Sequence, residues 1–122
     1  MREGFYVFIG GGIGSLLRFF TGKFFSSFIP TFPIGTLFSN VISTFILGLV
    51  FGLFSLKNIN NNSYLFLATG ICGGFSTYST FTLESMSLIQ SGNVSIGLIN
   101  IGLNLILCFL SLAIGIVISK QF

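Results

Sequence analysis

Gly70-Ile71-Cys72-Gly73-Gly74-Phe75-Ser76-Thr77-Tyr78-Ser79-Thr80-Phe81-Thr82 is the stretch on which the reading of this chain turns. Six of the seven positions from Ser76 to Thr82 carry hydroxyls, inside an otherwise apolar run. Lipid exposure of those groups would be costly, so the segment is expected at the core of an assembly. The Gly73-Gly74 pair followed by short polar residues predicts a helix broken near mid-membrane. A break frees backbone carbonyls and amides, which is tolerated only where they are buried or bound to an ion. Freed carbonyls suit a hard cation such as Na⁺. Hydroxyls and ring edges suit an anion. Tyr78 and Phe81 stand three apart and so neighbour each other on a helix. An aromatic ring has a positive edge and a negative face, so edges turned to a narrow pore make a weak anion site.

The rest of the chain fits a membrane setting. Of 122 residues, 52% are hydrophobic and 6% charged: five Lys/Arg, two Asp/Glu and no His. Soluble domains carry about 25% charged residues, so this set cannot build a water-facing surface. A soluble enzyme, a nucleic-acid binder and a disordered tail are excluded. Little remains for acid–base catalysis or a zinc site. A bilayer-crossing helix needs about 20 apolar residues. Four spans are predicted, over about 5–24, 34–56, 64–89 and 94–118. Pro30 and Pro33 separate the first two, Lys57 to Ser63 the next, and Gln90 to Asn93 the last. The fold class is an all-α membrane protein in one domain, with function inside the bilayer. The glycine-rich first stretch, followed by Arg18 and Lys23, reads as a retained helix rather than a signal peptide.

Four helices put both ends of the chain on one side, with Arg2, Lys57 and Lys120 there and Arg18 and Lys23 opposite. A bias of one positive charge gives almost no orienting instruction. Dual insertion and an antiparallel dimer are therefore expected. Cys72 and Cys108 read as small apolar residues.

Other polar residues fall in stripes. Thr36, Asn40 and Thr44 recur every four residues on the second span, with Ser39 and Ser43 alongside. Asn100, Asn104 and Cys108 do the same on the fourth. Such faces hydrogen-bond between helices or line a pathway. Arg18 and Glu84 lie near span ends, as anchors or as ion-collecting groups. Gly48/Gly52 and Gly70/Gly74 have the spacing that permits close helix crossing.

These motifs resemble those of the small fluoride channels, the Fluc or CrcB family. Gly11-Gly12-Ile13-Gly14-Ser15-Leu16-Leu17-Arg18-Phe19 is similar to its GGxxGAxxRY. Gly35-Thr36-Leu37-Phe38-Ser39-Asn40 is similar to its GTLxxN. The quoted third-span stretch is similar to its GfcGGfTTFSTF, and Glu84 falls at that motif's glutamate. The resemblance implies an antiparallel dual-topology dimer with two fluoride pores, formed by two copies or by two different family chains. It implies a structural Na⁺ at the centre, held by the backbone carbonyls of Gly73 and Ser76. The pore aromatics map to Tyr78 and Phe81, the pore asparagine to Asn40 and the vestibule arginine to Arg18. Asn100 and Asn104 map to the polar side of the fourth span. Thr36, Ser79 and Thr80 complete the anion-pore set, with Glu84 as support. The departures are Tyr78 in place of Phe, Ser76 in place of Thr and Asn100 where Tyr is frequent.

The expected function is passive, fluoride-selective export across the cell inner membrane, giving fluoride resistance, with no enzymatic step and no organic cofactor. Neutral donors replace fluoride's water without trapping it. A small multidrug-type proton-coupled exporter shares the length and span number but normally needs a first-span carboxylate, and residues 5–24 contain none. A non-transporting helical subunit would explain the glycine pairs but not the concentrated hydroxyls.

Overall fold

In the computed structural model, residues 2–122 are described, and among them all regular structure is helical. The first helix, α1, covers Arg2–Ser26 and the second, α2, Ile34–Ser55. The prolines sit in the connection, and Pro33 occupies the α2 N-cap, where a missing N–H costs nothing. Helix α3 covers residues 61–75, opened by Asn60, whose side chain accepts from Ser63 N at 2.9 Å. Helices α4 (Tyr78–Gln90) and α5 (Val94–Ser119) complete the chain. Three of these helices, α1, α2 and α5, are long and apolar enough to cross a membrane alone. The third crossing is shared between α3 and α4, joined through Ser76 and Thr77 in extended conformation. The chain is a multi-pass membrane protein.

Two seams hold the bundle. Along one, α1 lies directly on α3. A Cβ at Gly70 would stand 2.8 Å from Gly10 Cα, and one at Gly74 would stand 3.0 Å from Ser15 N. Along the other, α2 lies on α5, where a Cβ at Gly48 would stand 3.2 Å from Gly115 Cα. Both glycine pairs singled out by spacing therefore sit at close crossings. Lipid offers no hydrophobic drive between helices, so backbone-to-backbone packing of this kind supplies the association. Gly70→Ala is expected to destabilise the fold by about 1–3 kcal/mol, because backbone flanks the new methyl and cannot yield. Gly4, with nothing within 4 Å of its would-be Cβ, is the control: Gly4→Ala should leave the apparent Tm in detergent unchanged.

The middle of α3 differs from expectation. Leu65–Cys72 winds as a π-helix, with hydrogen bonds closed one residue later than in an α-helix. The break also falls later than the glycine pair. Gly73 and Gly74 remain helical, and the chain opens at Ser76 (ψ 158°) and Thr77 (φ −152°). Gly74 serves the approach to Gly11 and Ser15 rather than the break itself.

Candidate functional site

The break is held open by a residue of another helix. In a continued helix the Thr77 amide would bond to the carbonyl of Gly73. It donates instead to Asn40 Oδ1, at 2.7 Å. Asn40 Nδ2 returns a bond to the Thr77 carbonyl at 3.3 Å. One carboxamide thus satisfies both polar groups of the residue where the helix stops. Thr77 then starts α4, its Oγ1 accepting from Thr80 N at 3.2 Å.

The polar stripe of α2 follows the third crossing along its length. Thr36 Oγ1 donates to Glu84 Oε1 at 2.8 Å, Asn40 grips Thr77, and Ser43 Oγ donates to the Cys72 carbonyl at 2.7 Å. Four-residue spacing keeps the first two on one face, which is why both meet the same neighbour. Thr44 differs, since its hydroxyl bonds back to Asn40 O at 2.9 Å within its own helix.

Two cavities meet at Thr77, and Asn40 borders one of them. One, of about 220 Å³, is bordered by Asn40, Thr44, Ser76, Thr77, Tyr78, Phe81, Asn104 and Cys108, with Leu105 and Phe109 at its rim. It carries no charged side chain. The Tyr78 and Phe81 rings are tilted to one another, centroids 5.7 Å apart. Phe81 is buried, whereas Tyr78 is 79% exposed and directed off the surface of the single chain. The other cavity, of about 520 Å³, is bordered by Arg18, Lys23, Thr36, Thr77, Thr80 and Glu84, with Ser15, Phe19, Gly22, Ser26 and Gly35. It places both cations of the α1 C-terminal half beside one carboxylate. Glu84 Oε2 is buried with no hydrogen-bond partner. An acceptor without a donor is costly in the interior, and Thr36 offsets it only at the other oxygen.

The expected residues therefore divide. Asn40, Tyr78, Phe81 and Asn104 border the uncharged cavity. Arg18, Thr36, Thr80 and Glu84 border the charged one. Ser79 is exposed, its Oγ 3.4 Å from Thr77 Oγ1. Asn100 is wholly buried and borders neither. Thr77, absent from the sequence-derived set, borders both cavities. Its signal was its place in the hydroxyl run, but the run contains five other hydroxyls and does not single it out. Ser85 was also missed, and its bond to Asn100 at 2.9 Å is invisible without the α4–α5 packing.

The carbonyls at the end of α3 fit a hard cation. With the Thr77 amide diverted, the Gly73 carbonyl lacks its helical donor, and Gly73 itself is exposed without a side chain to cover it. The Ser76 carbonyl meets Arg18 Nη1 at 3.5 Å, a long contact that leaves acceptor capacity. The C-terminal end of a helix also carries partial negative charge.

Known proteins are similar to this one over nearly the whole chain. The family described as CrcB-like protein, Camphor Resistance (CrcB), matches residues 5–116. A protein of Campylobacter fetus subsp. fetus named fluoride-specific ion channel FluC is 44% identical over 118 residues, 95% of this chain and 92% of that one. Proteins of the same name from Flavobacterium psychrophilum and Pyrococcus furiosus are 34% and 38% identical, each covering 99% of this chain, with 99% and 98% of their own length matched. The family match over residues 5–116 and relatives 34–44% identical over nearly the whole chain place this protein in the CrcB family.

Proposed function

We propose that this protein is a fluoride channel, passing the ion out of the cell down its electrochemical gradient. Such a leak protects a cell that accumulates fluoride as HF in acid surroundings. The observation that carries the reading is the uncharged cavity at the break. There the Asn40 and Asn104 carboxamides, hydroxyls and the Tyr78 and Phe81 rings stand together without a fixed charge. Fluoride must exchange strong hydration for donors that release it again. The charged cavity next to it, with Arg18 and Lys23, gathers anions and passes them towards Thr80 and Thr77.

The working unit in this reading is a pair of chains inserted in opposite directions in the plasma (inner) membrane. Polar groups left exposed at mid-span support it, since the Tyr78, Ser79 and Thr82 hydroxyls and the uncovered backbone of Gly73 do not belong against lipid. The nearly even distribution of positive charge supports the antiparallel arrangement. The Gly73 and Ser76 carbonyls of the two chains would hold a structural Na⁺, whose charge would tie together the two breaks. Ser76's replacement of Thr does not affect a carbonyl role.

The test is fluoride efflux from liposomes containing the purified single chain. Rapid efflux with little chloride movement is expected. No fluoride efflux, from the single chain or with a second family chain, where a known channel conducts would overturn the proposal. Efflux only after a second, different family chain is added would show an obligate mixed pair.

A further inference from the structure

The buried asparagines of α5 are bonded in one continuous line with the break. Thr77 N–H donates to Asn40 Oδ1 (2.7 Å), and Asn40 Nδ2 donates to Asn104 Oδ1 (2.9 Å). Asn104 Nδ2 donates to Asn100 Oδ1 (3.1 Å) and to the Asn100 carbonyl (3.0 Å). Asn100 Nδ2 donates to Ser85 Oγ (2.9 Å), which donates to the Phe81 carbonyl (2.8 Å). Asn100, Asn104, Asn40 and Ser85 are all at most 8% exposed.

Its direction is forced. A backbone amide only donates, so Asn40 must turn its oxygen to Thr77 and its nitrogen to Asn104. Asn104 must then offer its oxygen to Asn40 and its nitrogen to Asn100, and Asn100 its nitrogen to Ser85. A backbone carbonyl only accepts, so the Ser85 hydroxyl points at Phe81. The line starts at the break and ends at the residue carrying the buried pore ring. Reversing the Asn40 or Asn104 amide would set donor against donor at one end and acceptor against acceptor at the other, which is costly in the interior.

We infer that Asn104, Asn100 and Ser85 are positioning residues that act on the anion path through Asn40 and Phe81. They take up one of the two Asn40 amide hydrogens and anchor the turn that carries the Phe81 ring. One Asn40 hydrogen is committed to Asn104 at 2.9 Å. The other makes the longer 3.3 Å contact with the Thr77 carbonyl. That second hydrogen is the one an anion can draw away, so the line leaves Asn40 a single donor of defined direction. Asn100 and Ser85 touch neither cavity, so their effect on permeation must be transmitted.

This inference rests on the fluoride-channel reading, and single-channel recording in planar bilayers separates the two. Wild-type channels without fluoride current would overturn that reading. With wild-type current present, Ser85→Ala is expected to lower the unit fluoride current at least about threefold, the effect of losing one buried hydrogen bond. Ser85→Thr, which keeps the hydroxyl, should restore it. Asn100→Leu, which cuts the line at its middle, should lower it further and weaken fluoride-over-chloride selectivity. A purely structural role would reduce the number of channels and leave unit current and selectivity unmoved. If Asn100→Leu fails to fold, the Ser85 pair decides. Unit current unchanged in Ser85→Ala overturns the inference.

Discussion

Asn40→Leu is expected to lower fluoride efflux by at least about a hundredfold, since the buried Thr77 amide and Asn104 oxygen each lose a partner at ~1–3 kcal/mol. Both groups sit on residues at most 6% exposed, so the lost carboxamide is poorly replaced. The substitution removes the reason the helix stops at Ser76 as well as a donor bordering the cavity. Asn40→Asp separates the two effects. A carboxylate still accepts from Thr77 N–H, so the break keeps its partner, while its other oxygen opposes Asn104 Oδ1 and lowers stability. It has no hydrogen to give to Asn104 or to an anion, and its charge repels fluoride. Folded but silent Asn40→Asp channels are the expected result, measured by liposome efflux beside detergent stability. Efflux near the wild-type rate from Asn40→Asp would remove Asn40 from the path.

Phe81→Leu is expected to slow fluoride efflux by about tenfold or more, equivalent to about 1.4 kcal/mol in the barrier. Leucine is apolar and buries acceptably in the same place, so the fold should persist with apparent Tm little changed. It lacks the positively polarised edge that a ring presents to an anion. The carbonyl of residue 81 still receives the Ser85 hydroxyl, so the loss would report the ring alone. Tyr78→Phe provides the comparison, because it keeps the edge and removes only the hydroxyl. Flux within about twofold of wild type is expected there, as ring geometry is unchanged. A large loss in Tyr78→Phe would instead mean that the phenol is itself a donor to the ion.

The legible part of the fold was what depends on composition along the chain. Apolar runs and the residues between them locate the helices to within a few positions, because lipid imposes that pattern whatever the neighbours are. The existence of a break was also legible, from glycines and hydroxyls where a plain span would carry leucine. Its position was not. Gly73-Gly74 pointed two residues too early, because Gly74 is required for contact with α1 and keeps helical geometry. The chain opens where Asn40, 37 residues away in sequence, captures an amide. A long-range bond leaves no local mark. The π-helical turn of Leu65–Cys72 is hidden for a related reason, as no residue type there demands it. Among the candidate site residues, periodicity placed Asn40 on one polar face and Asn104 on another. It could not show that Asn100 lies behind the cavity, or that Ser85 and Thr77 complete what the asparagines begin.

The glycine seam between α1 and α3 also determines where this protein can change over time. At Gly10, Gly14, Gly70 and Gly74 the opposing backbone occupies the space a methyl group would need. Any replacement there requires both helices to move, and no single compensating substitution can make room. The large side chains exposed around the bundle, such as Phe8, Phe19, Phe20 and Phe109, meet no such limit. They can be exchanged for other apolar residues almost freely. Sequence drift in this chain should therefore collect on the lipid-facing surface, while these glycines, with Gly48 and Gly115 on the other seam, remain the hardest to replace.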